Sequence, residues 1–227
     1  MEYANLSPKM QARYNKIIEV AAVEFISNGY GRTNVSKIIS VCGGSLSTIY
    51  ALFGNKEGLF RHVIARGVEK FEEEIRAKID IEAETDLRSF LTKFGEAYLN
   101  LCLNERIIKF KKLMISETFE EDKKSVEIFF EIGGRLILGF LERFFGKKEL
   151  EGRFKSKRLD ILAVRFCMLL EEPHTRFALV NGIFPSWSEE EKSAWVEDCV
   201  EFFMHGAVYS ESTEQRVEIE EVNFAIL

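Results

Sequence analysis

The sequence predicts an all-α protein, an N-terminal three-helix domain with a helix-turn-helix followed by a larger helical domain. Three observations carry this. Apolar residues recur at i, i+3, i+4 and i+7 through most of the chain, the spacing of one buried helix face. Two of these stripes, Val35–Cys42 and the run through Ile49, Tyr50 and Phe53, are short and separated by the paired glycines Gly43 and Gly44, the pattern of two helices meeting at a turn. Charge is also divided: residues 1–62 hold seven Lys/Arg against four Glu, a balance of +3, whereas the remainder holds 24 against 33, a balance of −9. An acidic chain of net charge −6 thus keeps a basic head.

A chain of 227 residues has room for two domains, expected at 1–62 and 63–208, with a tail at 209–227. No run approaches 18 uninterrupted apolar residues and the N-terminus lacks an apolar signal core, so the reading is a soluble, cytoplasmic protein with no membrane partner. Cys42, Cys102, Cys167 and Cys199 are far apart in apolar surroundings, which fits reduced core thiols better than a disulfide framework or a zinc site. There is no P-loop, no HExxH and no dinucleotide glycine pattern. An acid–base reading would rest on Glu171 and His174 alone, so no catalysis, cofactor or metal is expected.

In chain order, residues 1–6 read as a frayed arm. Ser7 as N-cap with Pro8 in the first turn starts a helix, Ile17, Ile18, Ala21, Ala22, Phe25 and Ile26 give it an apolar face, and Gly29 stops it. Thr33 is expected to cap the helix Val35–Cys42, Ser45 the next, and Asn55 a long one from Lys56 to about Ile79. Ser45, Leu46, Ser47, Thr48 and Tyr50 are the exposed side chains of the second short helix, small or hydroxylated enough to approach a major groove. Lys56 opposes the dipole of the helix it starts, which leaves a phosphate contact as its best use. Lys9, Arg13, Arg32 and Lys37 are further candidate phosphate contacts. Beyond a turn at 82–86, helices are expected at Leu87–Leu101, Glu105–Thr118 and Asp122–Phe145, the last with Gly133 and Gly134 at its middle. A charged loop follows at 146–157. Arg158–Val180 reads as a helix broken near Glu171 by Pro173. Cys167, Glu171 and His174 share a face only if that helix continues. Ser188 and Glu191 form a capping box for the last helix. The run from Tyr209 to Leu227 fits helix, strand or tail equally.

The order of a helix, a glycine turn, Thr48-Ile49-Tyr50, Phe53 and then Lys56-Glu57-Gly58-Leu59 resembles the N-terminal domain of TetR-family transcriptional repressors. The resemblance implies that Tyr50 and Lys56 contact phosphates of double-stranded operator DNA and that Ser45 to Thr48 reach the bases. Thr33 and Lys37 join them as candidate DNA contacts. Ile39 and Cys42 stand where the family has alanines, Gly44 where valine is common and Ser47 where glycine is frequent. The helices near Leu159–Leu170 and Trp195–Phe203 resemble the family's dimerisation helices, which implies a homodimer. Phe166-Cys167-Met168-Leu169-Leu170-Glu171-Glu172-Pro173 with the head motif resembles the multidrug-efflux repressors related to CmeR. That branch implies a small hydrophobic or amphipathic effector in a pocket lined by Phe94, Tyr98, Cys102, Phe110, Met114, Ile132, Cys167, Met168, Glu171 and His174. A helical ligand-sensing or partner-binding module without specific DNA binding, or an activator, is compatible with the same residues.

Overall fold

A computed structural model of the chain describes residues 6–119 and 123–209. Residues 1–5 of the expected arm, Asp122 as the start of a helix, and the tail from 210 onward lie outside the described residues. The helices are α1 (Pro8–Arg32), α2 (Val35–Cys42), α3 (Leu46–Phe53), α4 (Lys56–Lys78), α5 (Leu87–Cys102), α6 (Glu105–Glu117), α7 (Lys124–Phe129), α8 (Arg135–Phe145), α9 (Leu159–Glu171), α10 (His174–Asn181) and α11 (Glu189–Ala207). No strand is present among the described residues, and the all-α expectation holds.

Local chemistry sets most boundaries. Ser7 Oγ accepts the Met10 N–H at the start of α1. Asn55 Oδ1 accepts the Gly58 N–H at 2.8 Å, as expected. Ser188 and Glu191 close the capping box of α11 in both directions, at 3.1 and 2.7 Å. Each such cap contributes about 1 kcal/mol. Thr33 is not the cap of α2: Asn34 is, with its Oδ1 on the Ser36 N–H at 2.8 Å. Gly29 interrupts α1 with φ +82°, and one more turn runs to Arg32 before the chain leaves the helix. The single long helix expected to Phe145 is α7, a π-turn over Phe130–Gly134, and α8. Pro173 ends α9 and a new helix begins at His174, so Glu171 and His174 do not share a helix face.

Two compact units are formed, each from separated stretches of chain. The first takes residues up to Glu73 with Asn104–Ile137 and Phe177–Phe184; the second takes Glu74–Leu103, Leu138–Arg176 and the chain from Pro185. In the first, the α1 stripe of Ile17, Ile18, Ala21 and Phe25 packs with Ile38, Ile49, Leu52, Phe53, Leu59 and Phe60. Phe110, Met114 and Ile128 belong to the same core, so the three-helix head has α6 and α7 as additional walls. Gly58 is required where α4 starts, because a Cβ there would collide with the Phe53 carbonyl oxygen. In the second unit Phe90, Phe94, Phe140, Phe144, Phe145 and Phe166 are fully buried. Phe90 and Phe144 stack with centroids 3.6 Å apart.

Candidate nucleic-acid interface

Helices α2 and α3 cross at 108°, within the range of a helix-turn-helix pair. The turn is made by Gly43 and Gly44 at φ +74° and +104°, conformations that side chains rarely adopt. Beneath it lies Arg13, whose guanidinium donates to the Gly43 carbonyl at 2.9 Å. A Cβ on Gly44 would overlap that guanidinium. The first turn of α3 faces outward. Ser45 sits at the N-cap position in extended backbone but makes no side-chain cap. Its hydroxyl instead meets those of Ser47 at 2.6 Å and Thr48 at 3.2 Å, with Ser45 and Ser47 exposed and Thr48 half-buried. Leu46 and Tyr50 are 38% and 51% exposed, whereas Ile49, Leu52 and Phe53 on the other side are buried. Such a surface offers hydroxyl donors and acceptors, an apolar contact and a helix start, the repertoire used against phosphates and base edges.

Arg13, Arg32, Lys37 and Lys56 around it are engaged within the molecule. Lys56 Nζ donates to the Gly31 carbonyl at 2.8 Å and lies 4.9 Å from the centre of the Tyr30 ring. It therefore ties the start of α4 to the end of α1, which explains a lysine in the first helical turn before any ligand is invoked. Lys37 pairs with Glu24 at 3.0 Å while remaining mostly exposed. Arg32 Nε donates to the Asn28 carbonyl at 3.0 Å, and Lys9 is exposed. Thr33 is buried, at 4% exposure, and its hydroxyl donates to the Gly29 carbonyl at 2.6 Å. Of the predicted head residues, exposed Ser45, Leu46, Ser47 and Tyr50 and half-buried Thr48 form one surface, Lys37 and Lys56 carry charge held by neighbours, and Thr33 faces inward.

Residues 17–63 match the family described as bacterial regulatory proteins, tetR family, and residues 89–210 match the AefR-like transcriptional repressor C-terminal domain. The chain belongs to the TetR family of transcriptional regulators. Among curated relatives of this regulator, the HTH-type transcriptional repressor ComR of Escherichia coli is 34% identical over 76 residues, 34% of this chain and 36% of that protein. The Fatty acid metabolism regulator protein of Bacillus subtilis is 37% identical over 70 residues, 29% of this chain and 36% of that protein. The chain thus spans about a third of the length of these relatives. A Mesorhizobium loti structure assigned to the TetR-family regulators superposes with TM-score 0.72 at 20% identity, over 89% of this chain and 100% of that one. FadR from Bacillus subtilis in complex with stearoyl-CoA gives 0.63 at 19% identity, over 85% and 98%. These likenesses share the fold.

The TetR-family head contains one site that sequence reasoning missed. Glu117, at the end of α6, is buried at 8% exposure. Its Oε1 accepts the Tyr30 N–H at 3.0 Å and its Oε2 accepts the Ser125 hydroxyl at 3.0 Å. A Cβ on Gly29 would sit 2.8 Å from the same carboxylate. One side chain therefore fastens α6 and α7 to the break in α1, just before the helix-turn-helix. The available signal was its register: Phe110, Met114 and Glu117 recur at helical spacing, which places a carboxylate in an apolar stripe. Glu57, held below the usual carboxylate range by Lys124 and Arg61, joins α4 to α7 through Lys124 at 2.6 Å and pairs within α4 with Arg61 at 3.2 Å.

The predicted effector residues of the regulator are divided between the two units. Phe94, Tyr98 and Cys102 on α5 and Cys167 and Glu171 on α9 lie in the second unit and are all buried. Burial pushes the Tyr98 phenol well above its ordinary value, and Cys102, Cys167 and Glu171 act on it in the same sense. Met168, on the same helix, is 47% exposed. His174 lies against Trp187 and Trp195. Phe110 and Met114 are core residues of the first unit, and Ile132 packs against that core.

Proposed function

We propose that this regulator is a dimeric repressor that reads two operator half-sites with the first turn of α3. A bulky hydrophobic or amphipathic effector entering the second unit releases it. The observation that carries the reading is the exposed hydroxyl-rich turn, Ser45 to Tyr50, set at 108° to α2 on a basic head. In this reading Ser45, Leu46, Ser47 and Thr48 meet base edges and Tyr50 donates to a phosphate. Lys37 and Lys56 exchange Glu24 and the Gly31 carbonyl for phosphate oxygens, and Thr33 acts from behind by fixing the end of α1. Two heads suit two half-sites one DNA turn apart. Exposed Met168 on α9 and Phe202 on α11 supply an apolar surface for the second copy.

Phe94, Tyr98, Cys102, Cys167 and Glu171 are the effector lining we assign, since apolar walls with a few buried polar groups suit an amphipathic molecule. Phe110, Met114, Ile132, Met168 and His174 are left outside it because they belong to another core, the surface and the indole cluster. Helix α4, 23 residues and about 35 Å long, is the element we assign to transmission. An effector preferring the non-binding state about 100-fold supplies about 2.7 kcal/mol of coupling. From the resemblance at 166–173 we propose multidrug-efflux genes as the regulated set.

The test is binding to duplex fragments from upstream of its own gene and its neighbours across a salt series. Wild type is expected to bind one fragment specifically, with affinity falling steeply as salt rises, and Tyr50→Phe with Lys56→Ala is expected to weaken binding at least about tenfold. Equal binding by the double variant, or no binding at low salt, rejects the reading.

A further inference from the structure

A carboxylate in an apolar helix stripe is costly to bury, and an uncharged residue of similar volume packs there at least as well. Glu117 therefore has a use beyond packing. Gly29 leaves helical backbone at φ +82° and ψ +162°, so the last turn of α1 resumes from a peptide outside the regular ladder. That peptide, Gly29–Tyr30, is held at both ends. Glu117 Oε1 accepts its N–H at 3.0 Å, and its carbonyl accepts the Thr33 hydroxyl at 2.6 Å and the Thr33 N–H at 3.2 Å. Glu117 Oε2 is in turn held by the Ser125 hydroxyl of α7. Hydrogen bonds in such a series polarise one another, and buried groups in it keep the partners they have.

Beyond the held peptide stands Lys56. The Tyr30 ring is stacked on Phe25 with centroids 6.0 Å apart and meets Phe60 of α4 edge-on at 5.1 Å. Lys56 Nζ lies 4.9 Å from the centre of that ring and donates to the Gly31 carbonyl at 2.8 Å. Both of these contacts to the ammonium thus belong to the two residues after Gly29, and α6 and α7 hold the first of them through one side chain. A lysine carries much rotamer entropy, so a cation already placed at the helix start binds a phosphate more tightly than one gathered from solvent.

We propose that Glu117 is a positioning residue for DNA binding: its carboxylate fixes Tyr30 and Gly31, and these hold the Lys56 ammonium ready for a phosphate. The Gly31 carbonyl gives way to a phosphate oxygen while the Tyr30 ring keeps the cation at the start of α4. This role rests on the assignment of Lys56 to a phosphate, and the experiment distinguishes failure of the one from failure of the other.

Binding of the full chain to the duplex it selects from its upstream region is measured across a salt series, at a temperature where every variant is folded. The chains compared are wild type, Lys56→Ala, Glu117→Ala, the double variant and Glu117→Gln. Lys56→Ala is expected to weaken binding severalfold and to lower the salt slope by about one. Glu117→Ala is expected to weaken binding about three- to tenfold beside Lys56 but less than about twofold beside Ala, because the cation it positions is then gone. Glu117→Gln still accepts from Tyr30 and is expected to bind within about twofold of wild type. A role confined to stability gives the same loss in both backgrounds. Equal losses, undiminished binding by Glu117→Ala, or Glu117→Gln binding as weakly as Glu117→Ala overturns the role of Glu117 and leaves that of Lys56 standing. Wild-type affinity and salt slope in Lys56→Ala overturn both. If Glu117→Ala does not fold, Ser125→Ala decides by the same cycle, since it withdraws the donor from Oε2: a loss seen only beside Lys56 supports the role, and any other result rejects it.

Discussion

The first turn of α3 and the interior between α5 and α9 use polar groups in opposite ways. Ser45, Ser47, Thr48 and Tyr50 hold their hydroxyls at the surface, where three of them bond to one another. Tyr98 holds its phenol beside Phe94, with Glu171 acting on it, in a buried aromatic core. A polar group in water exchanges partners at little net cost, whereas one inside a protein must keep the partners it has. The first surface can therefore take a macromolecule without refolding. In the proposed reading an effector enters the second only by rearranging packed rings, which would couple its binding to conformation.

Breaking the aromatic side of the comparison has the largest expected effect. Phe90→Ala removes one ring of the 3.6 Å stack with Phe144 and costs about 3–5 kcal/mol. Denaturant unfolding reads this, and hydrogen exchange places the loss in α5 and α8 before α2 and α3. Next comes the buried carboxylate of the head. Glu117→Ala leaves the Tyr30 N–H without its acceptor and costs about 1–3 kcal/mol. Glu117→Gln recovers most of it, because an amide still accepts from Tyr30 and can donate to the Ser125 hydroxyl. The exchange rate of the Tyr30 amide distinguishes the two variants.

The smallest effect concerns pH. Burial lowers the His62 pKa below its ordinary 6.5, and its Nδ1 meets the Tyr14 hydroxyl at 2.8 Å. The unfolded chain thus takes up the proton first as pH falls. Head stability from neutral His62 is fully present above 6.5 and declines as pH drops through the lowered folded value. His62→Gln flattens that slope in thermal unfolding between pH 7 and pH 5, roughly the interval in which a histidine titrates. His174 shifts in the same direction for the same reason, so its own variant separates the contribution of the second unit.

What was legible in the sequence was what depends on neighbours along the chain. Ser7, Asn55 and Ser188 cap helices through contacts three residues away, and Gly43, Gly44 and Pro173 act on their own backbone. Thr33 and Asn34 are adjacent cap formers, and the choice between them depends on Thr33 having the Gly29 carbonyl within reach across the kink. The π-turn at Phe130–Gly134 inserts into an apolar stripe that reads as one helix. Glu117 acts on a residue 87 positions away, and Phe110 and Met114 join a head core that starts at Tyr14. Periodicity says that such residues are buried; only tertiary packing says with what.

The most direct measurement of the central claim is hydrogen exchange of the full chain with and without a duplex that it binds. The account predicts slowed exchange at Ser47–Tyr50 on adding DNA, with the amides of α5 and α9 near their free rates. Protection confined to α5 and α9, with α3 exchanging as in the free protein, would contradict it.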